Sequence, residues 1–261
     1  MNGTVKSARR VLEILELVAS TDQPLALRDI SAILALPKSS AHMLLATLER
    51  RGYLVRTEGD RFALLPAMRD AGGWIGGPAG RIFRAAHPVL DALVEQLEET
   101  VVLGAPTHGL DVRILSHRPS PQAIRYDVSQ TPVIPGYCTA MGHAILAHLP
   151  EDTVRAYLER TDLAPLTALT PTEPEAIMAR LRRDREQGFS LNVDERFEGA
   201  SGAAVAVCDI EGRPHAALNV VTVTPRFRRR QDEIVAALND AARGLEIMVF
   251  GAGSGKPAVG G

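Results

Sequence analysis

Apolar residues recur at helical spacing from the start of the chain. In SARRVLEILELVAS, Val11, Ile14, Leu15 and Val18 fall on one side and predict a helix with Ser7 as its N-cap. Thr21-Asp22-Gln23-Pro24 breaks the pattern. Leu27, Ile30, Ile33 and Leu34 predict a second short helix. The turn Ala35-Leu36-Pro37 leads into a third, LPKSSAHMLLATLERRG, with Pro37 near its first position, where a missing N–H does no harm. Gly52 stands where a C-terminal cap belongs. In this third helix Ala41, Leu44, Leu45 and Leu48 form a stripe to be buried, while Lys38, Ser39, His42, Met43 and Thr47 occupy the other side. Tyr53–Arg56 and Arg61–Leu64 then flank Glu58-Gly59-Asp60, a hairpin signal.

Three short helices followed by a hairpin make the plan of a winged helix-turn-helix domain. A helix packed along one face and carrying short polar groups on the other fits a DNA major groove. The segment 25–64 therefore points to double-stranded DNA as a partner. Ser39, Ser40, His42, Met43 and Thr47 are candidate groove contacts: the hydroxyls and the imidazole for base edges or phosphates, Met43 for a thymine methyl. Lys38, at the helix start, is a candidate phosphate contact. Arg56 and Arg61 on the wing are candidates for the backbone or the minor groove. The bland alternative is a solvated helix face with ordinary surface arginines.

The pattern changes after the hairpin. Residues 66–80 read as a joint rich in glycine, with Gly72, Gly73, Gly76, Gly77, Pro78 and Gly80, and with a weak helix over Pro66–Ile75. Ile82, Phe83, Ala86, Val89, Leu90, Leu93, Val94 and Leu97 predict a helix over about Ala79–Glu99, which Pro88 should kink or begin. Beyond it strands and helices mix. Strands are expected at Val101–Ala105, Asp111–His117, Gln122–Val128, Gly202–Asp209 and His215–Val223, the last two joined by a turn at 210–213. Helices are expected at Thr139–His148, Glu151–Glu159 and Glu173–Gln187. Thr172 and Glu175 would form a capping box for the third of these, and Gly188 would end it. A last helix is expected near Arg229–Phe250. The domains so predicted are 1–65 for DNA binding, 66–80 as linker and 81–250 as an α+β unit with an antiparallel or mixed sheet flanked by helices. Residues 251–261 form a Gly-rich tail expected to be disordered.

At 261 residues the chain is long enough for two domains with cores. Its composition, 46% hydrophobic and 23% charged, is ordinary for a globular protein. No run reaches the length of a membrane span and no apolar leader opens the chain, so a cytoplasmic protein with no membrane partner is expected. The net charge of −2 does not by itself announce nucleic-acid binding, but it divides unevenly: residues 1–65 carry +2 and the remainder −4. Phosphate contacts must therefore come from local placement of basic residues such as Lys38, Arg50, Arg51, Arg56 and Arg61. Cys138 and Cys208 are the only cysteines, which excludes a disulfide framework.

VKSARRVLEILELVA, LRDISAILALPKSSAHMLLATLERRGYLVR, PGYCTAMGHAILAHL and GFSLNVDERFEGASGAAVAVCDIEGRPHAALNVV together resemble the landmarks of the IclR family of bacterial transcription regulators, in the same order and spacing. The resemblance runs to about Phe250. It implies a winged-helix domain joined by a linker helix to a GAF-like effector domain. It also implies a homodimer or homotetramer on a palindromic operator and a small-molecule effector, often an organic or aromatic acid. Two positions depart from the family pattern besides the one discussed next: His143 replaces a usual lysine and Ala206 a common proline.

The effector site is expected where the loop Ile134-Pro-Gly-Tyr-Cys138 feeds the helix near Thr139. Thr139, Ala140 and Met141 would offer amides to an acidic head group. Tyr137 would supply an aromatic wall, and Cys138 lies beside it. The resemblance places the other wall at Asn192, Asp194, Glu195 and the strand from Gly202. The family often carries an acidic residue at position 192, and an amide there both donates and accepts, which points to a ligand with a neutral carbonyl, amide or hydroxyl. Solvated loop charges are the bland alternative for Asp194 and Glu195. Cys138 and His143 lack a partner for a catalytic base, and no metal-ligand spacing or nucleotide glycine motif occurs. The chain thus reads as a ligand-responsive regulator that is not an enzyme and needs no cofactor or metal. The alternatives are a small-molecule enzyme using the winged helix for assembly and a constitutive architectural DNA binder.

Overall fold

The computed structural model describes residues 5–21, 23–65, 77–128 and 132–251. The predicted helix at Pro66–Ile75, most of the glycine joint and the tail 252–261 lie outside them. The chain divides into two compact units, one ending at Arg81 and the other beginning at Ile82, apart from Thr107–Gly109, which groups with the first.

The first unit contains α1 (Lys6–Ser20), β1 (Leu25–Ala26), α2 (Leu27–Ile33), α3 (Lys38–Arg50), β2 (Leu54–Thr57) and β3 (Arg61–Leu64). Ile14, Leu15 and Val18 of α1, Ile30 of α2, and Ala41, Leu45 and Leu48 of α3 bury one core together with Leu54, Phe62 and Leu64 of the wing. The hairpin turns through Gly59 and Asp60, both at positive φ, which sets Thr57 opposite Arg61. Two details differ from the sequence reading. Ser7 is not the N-cap, because α1 already begins at Lys6 after Val5 and no side chain caps it. β1, too short to show alternation, adds a third strand beside β3.

The second unit continues α4 (Gly77–Leu97) into β4 (Thr100–Pro106), β5 (Val112–Arg118), β6 (Val133–Ile134), α5 (Ala140–Leu146), α6 (Glu151–Arg160), α7 (Pro174–Gln187), β7 (Ser190–Val193), β8 (Ala200–Cys208), β9 (Pro214–Val223) and α8 (Thr224–Phe250). Pro88 lies inside α4 and does not begin it. The six strands form one antiparallel sheet in the order β6-β5-β4-β9-β8-β7. Val101, Leu103, Val205, Val207, Leu218 and Val220 fill one face against α4 and α8. The other face carries Val102, Ala204, Ala206 and Ala217 against Ala140, Met141, Ala144 and Ile145 of α5. These smaller residues let α5 lie close to the sheet. α6 and α7 pack outside α5 around Tyr157, Leu158, Ile177 and Leu181.

The strand expected at Gln122–Val128 does not form. β6 pairs with β5 at Val112 and Arg113, and the segment 122–128 pairs with no strand. Side chains hold its carbonyls instead: Thr100 Oγ1 donates to Tyr126 O at 3.1 Å and Arg226 Nη2 to Ile124 O at 2.8 Å. The Thr172–Glu175 capping box is also absent. α7 starts at Pro174, so Glu173 takes the cap position and the spacing is one residue out. Gly188 does end α7, in the left-handed conformation. α8 starts five residues before the expected Arg229, with Pro225 in its first turn.

Candidate functional site

The outer face of α3 is open. Lys38, Ser39, His42, Met43 and Thr47 are exposed and Ser40 is half-buried, opposite the buried Ala41, Leu45 and Leu48. Met43 is 64% exposed, a large apolar side chain with no core to enter. Lys38, Ser39, Ser40 and His42 make no side-chain hydrogen bond or ion pair among the described residues. Thr47 Oγ1 donates back to Met43 O at 2.8 Å, which leaves its oxygen free to accept. The two wing arginines are already engaged. Arg56 meets Glu49 and Asp60 and stacks 5.1 Å from the Phe62 ring. Arg61 donates to Pro24 O at 3.2 Å.

A cavity lies in the second unit between the sheet and the start of α5. Val102, Ile114, Ile134 and Val221 give it apolar walls, and Ala200, Gly202 and Ala140 leave it room. The space between these residues is about 590 Å³, the part open to solvent included. The seating of α5 beside it has a local cause. A Cβ on Gly142 would sit 2.0 Å from Gly136 O, so only glycine lets α5 seat against the preceding loop. Thr139 then caps α5, its Oγ1 accepting from Gly142 N and donating to Pro135 O.

Three polar side chains of the lining decide its chemistry. Asn219 is 7% exposed, yet its amide has no partner among the described residues. Arg196 is half-buried and has no acidic partner among the described residues; its guanidinium lies 5.0 Å from the centre of the Phe197 ring. Asn192 donates its amide to Cys138 O at 2.7 Å and reaches Glu195 Oε2 at 3.5 Å. Glu195 in turn receives Arg180 at 2.7 Å, and Arg180 also donates to Leu191 O. Burial pushes the Glu195 carboxyl up, and Arg180 pulls it back.

Of the residues expected at this site, Thr139, Ala140, Met141, Asn192 and Gly202 line the cavity. Tyr137, Cys138 and Asp194 do not. Tyr137 supplies no aromatic wall here: it packs among α6 and α7, donates its hydroxyl to Ala164 O at 2.7 Å, and donates its backbone N–H to Tyr157 Oη at 3.0 Å. Cys138 is buried in the same cluster, with its thiol pushed up to about 11 by burial. That is the opposite of an activated nucleophile. Asp194 sits at positive φ and closes the β7–β8 loop, its Oδ1 accepting from Gly199 N and from Thr224 Oγ1. His143 is fully buried, and its Nε2 meets Tyr137 O. That carbonyl only accepts, so Nε2 carries the proton and Nδ1 is left unpaired. Among the described residues no group of His, Cys, Asp and Glu could hold a metal.

Sequence reasoning missed the walls at Tyr126 and Phe197, whose ring centres lie 6.0 Å apart, and the polar groups of Arg196 and Asn219. The signal was slight. The strand predicted over Tyr126 does not form. Asn219, however, interrupts an otherwise apolar strand AALNVV, and that polar break marked it.

Residues 7–58 match the IclR helix-turn-helix domain, and residues 79–247 match the C-terminal domain of bacterial IclR transcriptional regulators. The chain belongs to the IclR family. Within it, the Pca regulon regulatory protein of Pseudomonas putida is 30% identical over 249 residues, covering 94% of this chain and 84% of that protein. The transcriptional regulator XynR of Escherichia coli K12 is 31% identical over 224 residues, covering 85% and 88%. A solved IclR homologue of Microbacterium hydrocarbonoxydans, complexed with 4-hydroxybenzoate, has a TM-score of 0.62 at 24% identity and covers 94% of this chain and 99% of its own. This IclR-family chain is a DNA-binding transcription regulator, and the enzymatic alternative falls with that membership. No described helix is long and apolar enough to cross a membrane.

Proposed function

We propose that the cavity bounded by Asn192, Arg196 and Asn219 is the effector site and that it takes a small organic acid. The observation that carries this reading is Arg196: a half-buried guanidinium on the cavity wall with no carboxylate beside it among the described residues. An unpaired cation next to apolar walls is costly unless an anion joins it. Two aromatic rings, Tyr126 and Phe197, suit a flat acid. The 4-hydroxybenzoate bound by the Microbacterium homologue belongs to that class.

On this reading α3 reads base edges through Ser39, Ser40, His42, Met43 and Thr47, with Lys38 on a phosphate. Arg56 braces the wing through Glu49, and Arg61 contributes charge near the groove. The protein acts in the cytoplasm as a dimer or tetramer on a palindromic operator, so that two copies of α3 meet successive major grooves. The acid regulates only if it binds one arrangement of the DNA heads better than another.

The test is binding of the protein to the DNA upstream of its own gene, at two salt concentrations, with and without a panel of aliphatic and aromatic acids. Salt-sensitive, sequence-dependent binding that shifts with an acid is expected. Binding that ignores every acid favours a constitutive architectural protein.

A further inference from the structure

We infer that Asn192 makes the cavity selective for an acid that also carries a hydrogen-bond donor, a hydroxyl or N–H group, and that the buried Arg180–Glu195 pair holds Asn192 in the orientation that does so. The inference rests on the reading of this cavity as the effector site.

An amide side chain has one donating end and one accepting end, and neighbours decide which way it points. Here both neighbours only accept. Cys138 O, fixed at the start of α5, lies 2.7 Å from Nδ2. The Glu195 carboxylate lies 3.5 Å from the same nitrogen. Reversing the amide would set Oδ1 against a carbonyl oxygen and a carboxylate, a repulsive arrangement at both contacts. Nδ2 therefore has both hydrogens committed to the protein. Oδ1 remains on the cavity side, with no partner among the described residues.

The carboxylate is itself held in place. Glu195 Oε1 receives Arg180 Nη1 at 2.7 Å, and a second nitrogen of Arg180 is tied to Leu191 O, one residue before Asn192 on β7. Side chains of both partners are less than a fifth exposed. The pair sits behind the lining rather than in it. Arg180 and Glu195 are positioning residues, and Asn192 is the group that meets the ligand.

A ligand hydroxyl or N–H satisfies Oδ1. A ligand carbonyl, ether oxygen or fluorine at the same place repels it, and a bare C–H leaves it desolvated and unpaired. Losing one buried partner in this way costs about 1–3 kcal/mol, which corresponds to roughly 5- to 150-fold in affinity. An amide at position 192 could in principle both donate and accept; this arrangement leaves only acceptance.

The test is calorimetric titration of the full-length protein with matched probes: 4-hydroxybenzoate against 4-fluorobenzoate, and 3-hydroxybutyrate against butyrate. In the wild type at least one donor-bearing acid is expected to bind about tenfold or more tightly than its partner. In Asn192→Leu that preference should vanish, with the fluoro or deoxy acid binding as well as before or better. In Glu195→Gln it should shrink, while the dissociation constant of the donor-free acid changes little. If a variant fails to fold, the comparison of matched acids on the wild type still decides. Equal binding within every pair that binds overturns the inference and leaves the effector site standing. Binding of none of the four acids, nor of any acid in the wider panel, overturns the effector site and the inference with it.

Discussion

The guanidinium of Arg56 in the wing meets both carboxylate oxygens of Glu49 near the end of α3, at 3.2 and 3.3 Å. A third contact joins it to Asp60 at the hairpin turn, 3.0 Å away. These carboxylates raise the already high affinity of Arg56 for its proton, so its charge is balanced within the domain. Lys38, at the other end of α3, has no such partner among the described residues. The two cations should therefore behave differently on DNA. Lys38→Ala is expected to lower the slope of log K against log salt by about 1, as the loss of one phosphate contact does. Arg56→Ala should weaken binding by loosening the wing while leaving the slope nearly as it was. Fluorescence anisotropy across a salt series measures both. A slope that falls equally in the two variants would mean that Arg56 leaves Glu49 for a phosphate.

Base readout is expected from the middle of α3. His42 and Met43 are exposed and touch no core, so His42→Ala and Met43→Ala should leave the melting temperature within a degree or two. Each should relax preference at one or two operator positions by about 1–3 kcal/mol if that side chain meets a base. Selection from a randomised operator library reads this directly. An unchanged preference in both variants would assign readout to Ser39, Ser40 and Thr47 instead.

Gly142→Ala should damage the effector unit at its centre. The new methyl would lie 2.0 Å from Gly136 O and 2.4 Å from Gly136 Cα, and both are backbone atoms that move only with the loop. Overpacking of this kind costs about 1–3 kcal/mol, and displacement of the loop adds to it. Denaturant unfolding should show the loss. Stability equal to wild type would show that the loop yields without cost.

Stability should fall with acid in a way that His143 explains. Burial first, and Arg180 second, push its pKa down from 6.5 to about 3 in the folded protein. The folded state thus keeps a neutral ring, whereas the unfolded chain takes up a proton near the ordinary value. The contribution is intact above pH 6.5 and is lost as pH falls from there toward 3, on the order of 1 kcal/mol per pH unit. Carboxylates titrate in the lower part of that range, so the comparison is with His143→Gln, which keeps an N–H for Tyr137 O and cannot titrate. The wild type should lose stability more steeply than this variant between pH 6.5 and 5. Parallel curves would show that His143 does not govern the slope.

Much of this was legible from pattern. The stripe of Ala41, Leu45 and Leu48, the cap at Gly188 and the hairpin at Gly59-Asp60 are local signals, and local physics decides them. The cavity's position near Thr139 was legible through resemblance more than through spacing. What stayed hidden depends on contacts distant in sequence. The segment 122–128 has strand-like residues, but its carbonyls are held by side chains distant in sequence, Thr100 and Arg226. Tyr137 looked like a wall because it precedes α5; only the packing of α6 and α7 shows that its ring is drawn the other way. Arg196 gave no signal, because nothing in the sequence shows that an arginine will lack a carboxylate within reach.

The central claim is that an acid held at Arg196 controls DNA binding. It is tested most directly by the affinity for the upstream operator, measured with and without each acid of the panel, in the wild type and in Arg196→Ala. At least one acid is expected to change the wild-type dissociation constant by roughly 5- to 150-fold, the usual range of allosteric coupling, and the same acid at the same concentration should change that of Arg196→Ala several-fold less. An acid response of full size in Arg196→Ala, or none in the wild type, would contradict the account.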